Sequence, residues 1–195
     1  MAKYEPRDKY YRKAREQGLP SRAAFKIEEL LARIKLASDA RVIDLGCAPG
    51  GWLAILGAKL RNGRVIGIDL APCKSFGESV ETIVADIRDP NLPDIIKEKL
   101  GRPADLVTSD LAPKLTGIRA HDDAQFEELI DAALEIASAT LKRDGTMIAK
   151  LFMSGMFKEI LARIEHRFAK VDVTKVKATR PGSSELYVIA RRFHG

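Results

Sequence analysis

The stretch Arg41-Val-Ile-Asp-Leu-Gly-Cys-Ala-Pro-Gly-Gly-Trp52 limits the possible folds more than any other part of the chain. Val42, Ile43 and Leu45 read as a short apolar strand, and the turn after it holds Gly46, Pro49, Gly50 and Gly51. From Trp52 onward Leu56 and Leu60 recur at helical spacing. Strand, glycine-rich turn and helix open the ligand site of a doubly wound α/β domain, because glycines let the backbone approach a bound molecule. The turn is not the dinucleotide fingerprint. Matched to G-x-G-x-x-G it reads Gly46-x-Ala48-x-x-Gly51, and Pro49 removes an N–H that could have faced a pyrophosphate. An acid, Asp44, stands at the strand's end instead. A carboxylate there suits a ligand carrying an ammonium or sulfonium.

Two further acids end the next two apolar runs. Asp69 closes Arg64-Val-Ile-Gly-Ile-Asp, where a carboxylate can accept hydrogen bonds from ribose hydroxyls, and Asp86 closes Thr82-Ile-Val-Ala-Asp. Any one of them could be a plain turn former. Three at successive strand ends, beside Gly46, Gly50, Gly51 and Trp52, resemble the S-adenosylmethionine site of a Rossmann-like methyltransferase.

At 195 residues, the chain suits one substantial core, and a single domain over 1–195 with a basic arm at 1–20 is expected. No run nears the roughly 18 apolar residues of a membrane span, and the N-terminus lacks an apolar signal segment. Cys47 and Cys73 and histidines at 121, 166 and 194 form no metal-ligand pattern, so a reducing cytoplasm and no metal are expected. The charge is unevenly spread. Residues 1–36 hold ten Lys and Arg against five acids, and residues 158–195 hold nine against four, so each end carries +5 while 37–157 carries −4. Basic ends meeting at one site would suit a phosphate backbone, and Tyr4, Tyr10 and Tyr11 interleave stacking surfaces with Arg7, Lys9, Arg12, Lys13 and Arg15.

Residues 1–20 read as a loose or short helical arm. Ser21 is expected to cap a helix marked by Ala24, Ile27, Leu31 and Ile34. Strands are expected near 64–69, 80–84, 104–109, 146–151, 171–176 and 186–190, with helices near 92–100, 122–141 and 157–165 and a helix stop at 142–145. The last two strands are joined by too few residues for a crossover and should be antiparallel. The pattern gives seven strands with a closing antiparallel pair, which resembles the mostly parallel sheet of class I methyltransferases, and that resemblance implies the order 3-2-1-4-5-7-6.

In such a sheet ligands lie at the carboxyl ends of the parallel strands. Asp110 ends the fourth strand, Lys150 lies at the end of the fifth, and Glu185 begins the reversed seventh, so all three reach one rim. Lys26 can approach from its helix. A lysine in an apolar strand is costly unless paired. A plain ion-pair network would account for the same residues.

Over nearly its whole length the chain resembles the FtsJ (RrmJ) family of RNA 2′-O-methyltransferases. The likeness rests on Ser21-Arg-Ala-Ala-Phe-Lys26, Asp44-Leu-Gly-Cys-Ala-Pro-Gly-Gly-Trp52, Ser109-Asp-Leu-Ala-Pro113 with Thr116-Gly117, Lys150-Leu-Phe152 and Ser183-Ser-Glu185. The resemblance implies a Lys-Asp-Lys-Glu tetrad of Lys26, Asp110, Lys150 and Glu185. It further implies S-adenosylmethionine as cofactor and ribose 2′-O-methylation of a uridine in the A loop of large-subunit ribosomal RNA; because that donor is already activated no metal is needed, and a monomer is expected. Lys114 departs from the family pattern, where bacterial relatives would carry Asn. Related eukaryotic enzymes act on the tRNA anticodon loop, which is an alternative substrate. Rival classes are an NAD-dependent oxidoreductase, disfavoured by Ala48 and Pro49, and a small-molecule or protein methyltransferase, which needs no basic ends. A non-catalytic ribosome-assembly factor has no reason to keep all four tetrad residues.

Overall fold

The computed structural model describes residues 8–74, 76–114, 116–180 and 182–195. Seven strands form one sheet: β1 (Arg41–Leu45), β2 (Arg64–Asp69), β3 (Val80–Val84), β4 (Ala104–Ser109), β5 (Leu141–Phe152), β6 (Phe168–Thr174) and β7 (Glu185–Phe193). Their order is β3-β2-β1-β4-β5-β7-β6, with β7 antiparallel to both neighbours, as the resemblance to class I methyltransferases implies. β1 and β2 are buried on both faces, which is why they read as unbroken apolar runs instead of alternating ones. The sheet thus needs a helical layer on each side.

On one face α4 (Leu92–Leu100), α5 (Arg119–Thr140) and α6 (Phe157–Glu165) close the larger core, with Ile96, Phe126, Ile130, Leu134, Ile160 and Ile164 packed under them. On the other, α2 (Ala24–Leu31) and α3 (Gly51–Lys59) bury Ile27, Leu30, Leu53 and Leu56 over Val42, Leu106 and Ile148. The arm contains a helix, α1 (Lys9–Glu16). Asp8 caps it by accepting from the Tyr11 N–H at 3.0 Å, and Tyr10 stacks on Phe25 of α2 at 5.8 Å. Arg22 donates both to Asp8 and to the Ala178 carbonyl, which ties the arm to the segment leading into β7. The two basic ends of the chain therefore adjoin. Tyr4 and Arg7 lie outside the described residues.

Beyond shifts of a few residues, such as β6 at Phe168–Thr174 and not 171–176 and α5 starting at Arg119 and not near 122, three boundaries differ from expectation. Ser21 is not the cap of α2: its Oγ accepts from the Ala23 N–H at 3.3 Å, inside the preceding turn, and the helix starts at Ala24. That helix ends at Leu31, so Ile34 packs on the core from the turn beyond it. The expected helix stop at 142–145 belongs to β5. Ala104 pairs with Leu141 but Leu106 pairs with Thr146, so β5 carries extra residues, with Asp144 at φ 61. Lys142 reaches Asp105 at 2.6 Å across this irregularity, an interaction no local pattern could signal. Among the described residues no helix is long and apolar enough to cross a membrane.

Candidate active site

The carboxyl ends of β1, β2, β3 and β4 meet around a cleft of about 440 Å³. Gly46, Asp69, Asp86 and Asp110 line it, along with Leu111, Pro113 and Lys114. Gly46 has φ +77, and a Cβ there would lie 3.0 Å from Leu111 Cδ2 and 3.2 Å from the Leu111 nitrogen. Only glycine holds that turn while leaving the cleft open. Asp69 grips the turn from the next strand. Its Oδ2 accepts from the Ala48 N–H and its Oδ1 from the Ala71 N–H, each at 2.9 Å. Each oxygen keeps a further lone pair.

Asp86 is held by Arg88, a residue that no sequence motif singles out. The guanidinium reaches both carboxylate oxygens, with Nη2 2.6 Å from Oδ2, and the Arg88 N–H donates to Oδ1 at 3.0 Å. The side-chain hydrogen bonds from Arg88, helped by its backbone N–H, lower the Asp86 carboxyl to about 2. The local spacing Asp86-x-Arg88 is the available signal.

Asp44 is sealed from solvent. Its Oδ1 accepts from Thr108 Oγ1 at 2.7 Å, while its Oδ2 has no partner among the described residues. Burial raises its carboxyl to about 8; the Thr108 hydrogen bond opposes the shift, and the charges of Asp110 and Asp69 add to it. Gly50, Gly51 and Trp52 do not line the cleft. A Cβ on Gly51 would sit 2.2 Å from Ser21 Oγ, so this glycine lets α3 pack closely on the entry to α2. Trp52 is buried against Tyr187, with ring centroids 6.1 Å apart.

Beside the cleft, the ends of β4, β5 and β7 bring together the other four predicted residues. Lys150 Nζ donates to the Asp110 carbonyl at 2.7 Å and lies 3.0 Å from Asp110 Oδ1. Lys26, from α2, lies 2.7 Å from Glu185 Oε1 and 2.9 Å from Oε2, and Thr179 Oγ1 donates to Oε1 at 3.3 Å. These are two lysine–carboxylate pairs, and Tyr187 joins them. Its buried hydroxyl donates to Asp110 Oδ1 at 3.2 Å and also interacts with Glu185. Burial first, then the charges of Asp110 and Glu185, push the Tyr187 hydroxyl far above its ordinary range, so it stays a donor. Burial pushes the Glu185 carboxyl up as well, but the charge and hydrogen bond of Lys26, with help from Tyr187 and Lys150, leave it below its ordinary value. Tyr187 escapes sequence reasoning because it resembles any other aromatic core residue; its place two residues after Glu185, on the same face of β7, is the only clue.

The cleft can hold an elongated ligand with hydroxyl and cationic groups, and the rim offers ammonium donors beside paired carboxylates. Among the described residues no cluster of three or more His, Cys, Asp or Glu side chains could hold a metal ion.

Residues 19–193 match the model of the FtsJ-like methyltransferase family. Over 195 aligned residues the chain is 42% identical to the ribosomal RNA large subunit methyltransferase E of Anaeromyxobacter sp. (strain Fw109-5), covering 98% of this chain and 71% of that protein. The same-named protein of Bdellovibrio bacteriovorus is 40% identical over 189 residues, covering 95% of this chain and 96% of the relative. Among solved structures, a Plasmodium falciparum protein named as a ribosomal RNA methyltransferase superposes with a TM-score of 0.78 at 25% identity, over 90% of this chain and 99% of the other.

Proposed function

Because this chain belongs to the FtsJ-like methyltransferase family, we propose that it methylates a ribose 2′-hydroxyl of large-subunit ribosomal RNA, at a uridine of the A loop, with S-adenosylmethionine as donor. The observation that carries this reading is the Lys150–Asp110 pair, joined through Tyr187 to Lys26–Glu185 and opening beside the acid-lined cleft. The basic arm packed against the basic C-terminal segment supports an RNA substrate over a small molecule. In this reading the enzyme acts as a cytoplasmic monomer.

The cleft's residues fit the donor. Asp69 has lone pairs free for ribose hydroxyls and Asp86 sits at the cleft wall as a fixed anion, while Asp44, buried and protonated near neutral pH, holds β1 to β4 through Thr108 beneath the turn. Gly46 clears the floor, and Gly50, Gly51 and Trp52 seat α3 behind it. When bound, S-adenosylmethionine supplies a methyl already activated on a positively charged sulfur.

The chain itself must then hold the acceptor hydroxyl and take its proton. As an ammonium, Lys150 has three donors, of which Asp110 engages two. The third can hold the acceptor oxygen, while the acceptor's own O–H can turn to the Asp110 carboxylate. Lys150 thus either orients the hydroxyl as an ammonium while the proton leaves toward Asp110, or takes that proton itself, in which case the O–H must point to a lone pair on Nζ and not to Asp110. Lys26, pinned by Glu185, keeps a cation beside the site for the RNA backbone.

Incubating the protein with S-adenosylmethionine and, in parallel reactions, large ribosomal subunits or total tRNA from cells lacking the enzyme tests this reading. Mass-spectrometric mapping should find one new methyl on a uridine ribose of the large-subunit RNA. Finding it only in the tRNA anticodon loop would transfer the activity to that substrate, and finding none would reject the reading.

A further inference from the structure

A second hollow, of about 530 Å³, adjoins the cofactor cleft. Pro113 lines both, so the two spaces share a wall. One wall of the second is apolar, with Phe152 packed edge-on to Phe126 at 5.0 Å and Met153 exposed at 59%, while its margin also carries Arg119, 3.7 Å from Asp123. Ser154 and Ser184 place hydroxyls on its margin.

The location gives this hollow its meaning. Phe152 lies two residues after Lys150, so both side chains stand on one face of β5, and Lys150 Nζ is 5.7 Å from the Phe152 ring centre. Phe152 also pairs in register with Glu185, and the Met153 N–H donates to the Ser184 carbonyl at 2.9 Å. The strands that carry the reactive rim thus build the hollow's apolar wall. Asp122, on its edge, spends its carboxylate on Thr116 and Gly117, at 2.7 to 3.1 Å, and so fixes the loop that follows Pro113.

We propose that this second hollow receives the nucleobase of the nucleotide being methylated. The inference rests on the RNA 2′-hydroxyl reading given above. A base is attached to the ribose carbon next to the one bearing the 2′-oxygen. Once that oxygen sits at Lys150, the base must lodge within a few ångströms, and the cofactor cleft lies behind the Pro113 wall. The space left to it is bounded by an aromatic ring and a polarisable thioether, which suit a flat π-system, with two hydroxyls able to meet its edge. A base engaged there has left its stack, so single-stranded or loop RNA is the favoured form of substrate.

Methionine-methyl NMR of the full chain reads this directly. On titration with a short uridine-containing single-stranded oligoribonucleotide, the Met153 methyl should shift while that of Met147, buried in the core, stays in place. A chain of the same length with abasic riboses should leave Met153 unmoved. Met153→Trp, which fills the hollow from an exposed position, should lower kcat/KM for RNA by about tenfold or more, the scale of a single base–aromatic stack, without altering S-adenosylmethionine affinity. An unshifted Met153 methyl, an equal shift with the abasic chain, or Met153→Trp turnover within twofold of the parent would each overturn the proposal. Absence of methyl transfer by the unmodified protein would instead overturn the functional reading, since the NMR shift requires only binding.

Discussion

The cleft and the rim lie side by side, yet they are held together differently. In the cleft Asp69 and Asp86 are satisfied by near neighbours in sequence or by turn backbone, Asp69 by Ala48 and Ala71 and Asp86 by Arg88 two residues on, while Asp110 belongs to both regions. In the rim the partners are far apart in the chain, Lys150 with Asp110 and Lys26 with Glu185, and they cohere through buried Tyr187. The cleft is a set of separable groups suited to binding. The rim is one network, in which removing a member leaves another charge buried without its partner.

Lys150→Ala breaks the comparison most sharply. Methyl transfer should fall by about 10²- to 10⁴-fold, the range for removal of a proton-transfer group, while calorimetry should find S-adenosylmethionine affinity nearly unchanged. Asp44 offers a test through stability. Its carboxyl is raised to about 8, so between about pH 4 and pH 8 the folded protein keeps a proton that the unfolded chain has released. Stability of the ligand-free protein should fall as pH rises through that window, by on the order of a few kcal/mol, with Asp44's contribution complete only below it. Asp44→Asn should flatten the slope and raise stability at pH 8 in denaturant titrations. An unchanged slope would mean that Asp44 is not the buried acid responsible.

Asp69→Ala should cost on the order of 1.5–3 kcal/mol in S-adenosylmethionine binding, the value of charge-assisted hydrogen bonds, and should raise KM for the donor far more than it lowers kcat. Tyr187→Phe should do the opposite. Removal of one hydrogen bond, about 0.5–1.5 kcal/mol, should reduce kcat by about two- to tenfold with donor affinity intact. If Tyr187→Phe weakened donor binding instead, the two regions would not be separable. The smallest effect is expected from the arm. Reversing Lys9, Arg12 and Lys13 together should flatten the salt dependence of RNA affinity, by up to about 0.7 in log–log slope for each phosphate that is no longer neutralised. Identical slopes would remove α1 from the RNA surface.

The same contrast explains what can be read from residues alone. The strands follow from apolar runs, the antiparallel last pair from its short connection, and the strand order from the resemblance to class I methyltransferases; the cleft acids stand out because each ends a run, as Asp69 and Asp86 do. Lys150 and Glu185 are legible as polar residues at apolar strand ends. Tyr187 is not, because a fully buried tyrosine gains its role only from the register that sets it beside both Asp110 and Glu185. The start of α2 and the irregular start of β5 elude local patterns for a related reason. Ser21 spends its oxygen on a turn, and residues 142–145 bulge between the paired Leu141 and Thr146, with Lys142 held by Asp105, a residue distant in sequence.

The central claim is that the rim directs the methyl to a ribose oxygen. Large-subunit RNA methylated with isotope-labelled donor and then digested with alkali tests it most directly. A 2′-O-methyl group blocks cleavage of the adjoining phosphodiester, so the label should appear entirely in alkali-resistant dinucleotides and be lost with Lys150→Ala. Label recovered in mononucleotides would place the methyl on a base and contradict the account.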